Sequence, residues 1–262
     1  MKSLRIGILG VLVLLLAIPG LFGCTADKVE QKKELLVYCG ITMIKPMADI
    51  AEIIEQEYDC KILITKGGSG NLLKSIKANK IGDLYLPGSD AYIQTTLEQG
   101  LVTDTVHVGY NKAAMMVKKG NPKSIPASLD SLADKRFLVA IGNPESGSIG
   151  RETKKILDKK SIFSKVAANV QMMTTDSKDL TRLLKGEEAD LVVNWYATST
   201  WPENKDSISV LPISDEYARK KKLILALLRF SRYPEIAKAF MDYASGDEGR
   251  AIFNKYGLYD VR

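Results

Sequence analysis

The sequence predicts an α/β protein folded as two similar lobes. Three observations carry this: strand-like and helix-like segments alternate along the chain, two glycine- and serine-rich loops stand where a strand gives way to a helix, and Asp190-Leu191-Val192-Val193 echoes Asp83-Leu84-Tyr85-Leu86. Strand, crossover helix and strand imply parallel pairing.

Residues 35–39 read as the first strand, and residues 45–58 as a helix in which Met47, Ile50, Ala51 and Ile54 recur at helical spacing. A strand (60–65), a helix (71–79) and a short strand (83–86) follow. After the turn at Pro87-Gly88-Ser89 a helix covers 90–99 and is stopped by Gly100. Residues 106–118 read as one long extended segment running into Gly120-Asn121-Pro122. The second unit then offers strands at 137–141, 170–174, 190–194 and 208–212, with helices at 151–159 and 176–185. A strand (223–229) and helices at 234–245 and 248–256 close the chain.

The N-terminus is a basic start (Lys2, Arg5), an apolar run over 6–18, Pro19-Gly20 and then Gly23-Cys24. This predicts an export signal over 1–23, because the run is shorter than the about 20 residues a bilayer span needs. Gly23-Cys24 resembles a bacterial lipoprotein cleavage box, which makes Cys24 the lipid-bearing residue, although Phe22 is bulkier than is usual there. A signal cleaved elsewhere or an uncleaved anchor is the alternative. The expected organisation is a signal (1–23), a polar tether (24–34), a first lobe (35–117 and 223–262) and a second lobe (118–222). The crossings between lobes are expected near 118–120 and 214–222, as a two-strand hinge.

Without residues 1–23 the chain loses Lys2 and Arg5 from its 37 basic residues, leaving 35 against 31 acidic ones. The lysines are scattered among acidic residues without interleaved aromatics, so no nucleic-acid partner is expected. Cys39 and Cys60 fall at opposite ends of neighbouring parallel strands, beyond disulfide reach. With one histidine, His107, the chain has too few ligands for a Cys/His zinc site, and no free metal cation is expected. His107 reads as a strand-end residue, not a catalyst. The same shortage argues against a Ser-His-Asp enzyme.

In open α/β sheets a ligand lies beyond the carboxyl ends of the strands. Lys66-Gly67-Gly68-Ser69-Gly70 sits there, after an apolar strand and before a helix. Its glycines free the backbone N–H groups, Ser69 adds a hydroxyl, and the helix start adds unpaired donors at its positive end. Such loops also serve as plain connectors. Thr42, after the first strand, reads as a further hydroxyl or as an N-cap. In the second lobe Ser146-Gly147-Ser148-Ile149-Gly150 forms another helix entrance, and Asn194-Trp195-Tyr196 offers an amide, an indole N–H and a phenol at a strand end. The aromatics there suit interlobe packing equally well. Arg151 reads as an anion partner or a solvated helix-face residue.

VYCGITMIKPMADIA, the Gly-Gly-Ser-Gly loop, GDLYLPGSDAYI, GNPESGSIG and EGRAIFNKYGL together resemble the periplasmic molybdate-binding proteins of ABC transporters, over nearly the whole chain beyond residue 23 and in the right order. The resemblance implies the two-lobed type II solute-binding fold, each lobe a mostly parallel sheet flanked by helices. It also implies an oxyanion ligand, molybdate or tungstate, held by hydroxyls and backbone N–H groups. Carried over by position, Thr42, Ser69 and Gly70, and Ser148 and Ile149 stand at the family's donors. The family's late-strand Tyr falls on Val193, which leaves sulfate or phosphate as alternatives. Gly68, Ser146, Asn194 and Tyr196 complete the expected site. Glu145, in the same loop as Ser146, reads as structural. The expected partners are an ABC permease and the membrane, through lipid on Cys24. The expectation is an exported, lipid-anchored monomer that faces the periplasm or cell exterior, is not an enzyme and carries no cofactor. A sensor of an anion or small organic solute is the alternative on the same fold.

Overall fold

The computed structural model describes residues 32–258. The signal, Cys24 and most of the tether lie outside them. From β1 (Lys33–Gly40) the chain runs through α1 (Ile44–Tyr58), β2 (Cys60–Gly67), α2 (Ser69–Asn79), β3 (Leu84–Leu86), α3 (Ala91–Glu98) and β4 (Val102–Asn111). Then come β5 (Ala113–Lys118), β6 (Val139–Gly142), α4 (Ser148–Lys159), α5 (Phe163–Ala167), β7 (Val170–Thr174), α6 (Ser177–Lys185), β8 (Leu191–Trp195) and β9 (Ile208–Leu211). The described chain ends with β10 (Lys221–Leu228), α7 (Pro234–Ser245) and α8 (Asp247–Lys255).

The strands form two five-stranded sheets, ordered β2-β1-β3-β10-β4 and β7-β6-β8-β5-β9. In the first, β1 pairs in parallel with β2 and β3, while β10 is antiparallel to β3 and β4. In the second, β6 is parallel to β7 and β8, while β5 is antiparallel to β8 and β9. Each sheet is therefore mixed, with four strands running one way and a single strand, β10 or β5, running against them. The exceptions share a cause: β5 and β10 enter their sheets from the other lobe, without a crossover helix to reverse them.

Periodicity explains the helix faces. Met47, Ile50, Ala51 and Ile54 of α1 are buried against the first sheet together with Phe240 of α7. On the opposite face Leu72 and Ile76 of α2 pack with Tyr38 and Tyr85. In the second lobe Ile156 and Leu157 of α4 and Leu180 and Leu184 of α6 cover Val139, Ile141 and Val192. Full burial of each such side chain contributes about 1.5–3 kcal/mol.

The segment 106–118 is two strands, not one. The break falls at Lys112, so β5 belongs to the second sheet and the first crossing lies at Lys112 instead of 118–120. The sequence hides it because extended residues run straight through, with no glycine or proline at the join. Side-chain and backbone bonds mark it instead. Asn111 Nδ2 donates to Thr42 Oγ1 and to the Gly88 carbonyl, both at 3.2 Å, while Tyr196 N donates to the Lys112 carbonyl at 2.8 Å. One residue is thus tied to the first lobe and the next to the second. The return crossing spans 212–220, and Lys112 Nζ meets Asp215 Oδ1 at 2.7 Å, which links the two crossings.

Three smaller differences follow from length and position. The five-residue α5 is too short to show a period, and α2 and α4 begin at Ser69 and Ser148, two and three residues earlier than expected. His107 lies inside β4, its Nε2 2.8 Å from the Gly109 carbonyl oxygen. The β1–β2 register pairs Lys33 with Cys60 and Cys39 with Lys66, which puts the two thiols six positions apart, roughly 20 Å at 3.3 Å per residue. Both are free and buried, and burial pushes both pKa values up.

Candidate oxyanion-binding site

The carboxyl ends of six strands converge on one cavity. From the first lobe its wall takes residues 40–42 after β1, residues 67–69 at the join of β2 and α2, and Gly88 after β3. From the second lobe it takes residues 147–149 where α4 begins, Asp176 and Ser177 where α6 begins, and Trp195 at the end of β8.

Three buried hydroxyls share one arrangement. Ser69 Oγ accepts from Gly88 N at 3.0 Å, Ser148 Oγ accepts from Trp195 Nε1 at 3.2 Å, and Thr42 Oγ1 accepts from Asn111 Nδ2 at 3.2 Å. A hydroxyl that accepts an N–H offers its own proton to another acceptor, and the N–H polarises it towards donation. Thr42 Oγ1 points that proton at Met43 Sδ, 2.7 Å away, and thioether sulfur is a weak acceptor that an anion would outcompete. Tyr85 donates its hydroxyl to the Ser69 carbonyl at 2.8 Å and so fixes the loop from below; burial pushes its pKa up and keeps it a donor.

The helix starts add backbone donors. Gly68 and Gly147 are the N-caps of α2 and α4, and neither helix start has a side-chain cap. The N–H groups of Ser69, Gly70, Ser148 and Ile149 therefore have no acceptor within their own helices. The third start differs, because Asp176 Oδ1 accepts from Lys178 N at 2.8 Å and from Asp179 N at 3.2 Å. That carboxylate is engaged by its own helix. No Lys, Arg or His lines the cavity, so attraction for an anion comes from helix ends and polarised hydroxyls. The room is small. The cavity holds about 10 Å³, whereas sites for organic ligands run to about 300–1,000 Å³.

The lobes are closed over this space. Asn71 N donates to the Ser146 carbonyl across the cleft at 3.2 Å. A Cβ on Gly68 would lie 2.5 Å from the carbonyl oxygens of Ser146 and Thr175, and one on Gly88 would lie 2.2 Å from Ser148 Oγ. Only glycine at these two positions permits such an approach.

Of the expected residues, Thr42, Gly68, Ser69, Ser148 and Ile149 line the cavity and four do not. Gly70 backs onto the Glu145 and Ser146 carbonyls of the other lobe. Ser146 Oγ turns to the Asn143 and Thr175 carbonyls at 3.2 and 3.3 Å. Asn194 is fully buried and spent: its Nδ2 donates to the Ser177 carbonyl and its Oδ1 accepts from Trp195 N, both at 2.9 Å. Tyr196 begins a short 3-10 helix and is half-buried outside the lining. Arg151 stacks over the Tyr92 ring at 5.2 Å, away from the cavity. Among the other lining residues, Gly88, Asp176 and Ser177 fall outside the loops singled out from the sequence, and Trp195 reads there as a strand-end donor but stands outside the expected site. Their signals were a strand-end indole, a Pro-Gly turn after a strand, and an Asp-Ser helix entrance. Among the described residues no group of three His, Cys, Asp or Glu could hold a metal ion.

This fold and cleft define a two-lobed α/β binding protein of the periplasmic type. The chain belongs to the family of bacterial extracellular solute-binding proteins, whose pattern matches residues 35–259. It is 24% identical over 232 residues to a protein of Haemophilus influenzae provisionally named a binding protein, covering 88% of this chain and 93% of that one. It is 25% identical over 245 residues to YvgL of Bacillus subtilis, provisionally named an ABC transporter substrate-binding lipoprotein, covering 90% and 92%. Among solved structures, the periplasmic molybdate-binding protein of Azotobacter vinelandii superposes with a TM-score of 0.75 at 16% identity, covering 87% of this chain and all of that one. A periplasmic thiamin-binding protein superposes equally well, at 0.75 and 17% identity, over 88% and 84%. These two share the fold and differ in ligand.

Proposed function

We propose that the protein captures a small tetrahedral oxyanion, molybdate or tungstate foremost, between its lobes and delivers it to the membrane permease of an ABC importer. The observation that carries this reading is the donor set: three hydroxyls with their acceptor sides filled by N–H groups, beside two uncapped helix starts, in a cavity without a basic side chain. A fully ionised oxyanion needs donors alone. Each charge-assisted bond contributes about 1.5–3 kcal/mol, so six or seven offset the desolvation of a buried ion. The narrow space favours this ligand over thiamin-sized solutes. Because no full positive charge holds the ion, opening the lobes is enough to hydrate and release it.

The Bacillus relative's name supports the ABC importer and, together with Gly23-Cys24, a lipid anchor on Cys24 outside the cytoplasmic membrane. The function so described is binding, without turnover, by a monomer. Calorimetric titration with molybdate, tungstate, sulfate and phosphate tests it. Saturable heat from molybdate or tungstate is expected, weakened in Thr42→Ala and Ser69→Ala; silence from all four ions overturns the reading. For the anchor, Cys24→Ser is expected to move the protein from the membrane to the soluble fraction.

A further inference from the structure

A second concavity opens beside the buried cavity, and Ile41 lines both. It holds about 560 Å³, within the range of about 300–1,000 Å³ that organic ligands occupy. Its walls come from both lobes: Ile44 and Lys45 of α1 and Lys66 of β2 on one side, α6 and Trp201 on the other. The Lys45–Glu203 ion pair, at 2.7 Å, closes one end across the lobes.

Its chemistry is that of a site for an anion with an apolar body. Five basic side chains surround it against two acidic ones. Lys66 and Lys178 are exposed and have no ion-pair partner among the described residues, in contrast to Lys45 and Arg182, which are paired. Ile44 and Trp201 provide apolar surface, and Lys45 Nζ lies 5.2 Å from the Trp201 ring centroid. Trp201 is 6% exposed, yet its indole Nε1 has no hydrogen-bond partner, which is rare for a buried donor.

We propose that this groove binds an organic anion: a flat apolar body against Ile44 and Trp201, and a carboxylate, sulfonate or phosphate group facing Lys66 and Lys178. A bare tetrahedral ion would leave most of the space unfilled. Since both lobes build the groove, its occupant is bound in the closed form alone. It and the buried oxyanion then favour the same state and must tighten each other's binding by the same factor.

The probe is 8-anilinonaphthalene-1-sulfonate, titrated by fluorescence into the purified protein and its Lys66→Glu/Lys178→Glu variant, with and without saturating molybdate. The double variant is expected to weaken the probe at least tenfold and to weaken molybdate less in calorimetry, because both side chains stand outside the buried cavity. Molybdate is expected to tighten the probe about fivefold or more in the unaltered protein. Probe binding that ignores charge reversal overturns the proposal, as does direct competition between probe and molybdate. An oligoglutamate peptide that binds where the probe does not would make the groove a protein-docking face and overturn it too. If calorimetry shows molybdate bound and probe affinity is unchanged, the coupling is refuted. The charge-reversal arm does not depend on which ion fills the buried cavity, so its failure is separable from failure of the oxyanion reading.

Discussion

At the residue scale the site works through protons already aimed. Ser69, Ser148 and Thr42 each take an N–H from Gly88, Trp195 or Asn111, so each hydroxyl proton is left for the ligand. Replacing any one of them with alanine is expected to raise the oxyanion Kd about tenfold to a hundredfold, the equivalent of about 1.5–3 kcal/mol, in calorimetric titration. Ser69→Ala and Ser148→Ala should be more severe than Thr42→Ala, since they leave Gly88 N and Trp195 Nε1 without an acceptor whereas Asn111 Nδ2 keeps the Gly88 carbonyl. Trp195→Phe should weaken binding less, because it removes only the indole that orients Ser148. The hydroxyls and Ile149 were legible in the sequence, because glycine and serine after an apolar strand make a recognisable helix entrance. The far wall was not. Asn194, Trp195 and Tyr196 are consecutive at a strand end, and which of them faces the cleft depends on where β8 stops and the next turn begins. The structure gives the reach to Trp195 and spends Asn194 on the start of α6.

At the scale of elements, closure rests on glycines and on the crossings. Gly88→Ala would put a methyl 2.2 Å from Ser148 Oγ, and Gly68→Ala would put one 2.5 Å from two backbone carbonyl oxygens. The Gly68 variant should be the stronger, because backbone yields less than a side chain. Small-angle X-ray scattering is expected to show that molybdate contracts the unaltered protein and leaves Gly68→Ala extended. Between the crossings, the hydrogen bond from Lys112 and then its charge hold the Asp215 carboxyl below its ordinary value of 3.8. A depressed carboxyl stabilises the folded state above its unfolded pKa and loses that effect as pH falls through the lower folded value. The link should therefore persist from neutral pH to about pH 4 and fade below it, which NMR titration of the Asp215 carboxyl would follow. Most strands and helices were legible from periodicity and turn residues, including Val170–Thr174 and Pro234–Ser245 to the residue. The crossing at Lys112 was not, because a strand that changes sheets keeps the same local pattern, and only Asn111 and Tyr196, distant partners in sequence, mark the change.

At the scale of the whole molecule, two sheets joined by two crossings enclose a small cavity that both lobes build, and the proposed anion would occupy it in the closed form. A ligand of the closed form stabilises the fold by mass action, about 2.7 kcal/mol at a hundredfold excess over Kd. For a chain of this size that predicts a rise in Tm of about 5–10 °C with molybdate or tungstate, cut to about half or less in the Ser69→Ala variant at the same concentration. The two-lobe order was legible from the repeated α/β pattern. The mixed pairing of each sheet was not, since it follows from which lobe β5 and β10 arrive from. The most direct measurement is an anomalous difference map, recorded at the tungsten absorption edge, from crystals grown with tungstate. A single strong peak bounded by Thr42, Ser69 and Ser148, with those hydroxyls within hydrogen-bond reach of its oxygens, is the result expected; no peak there, or a peak only in the groove beside Lys66 and Lys178, would contradict the account.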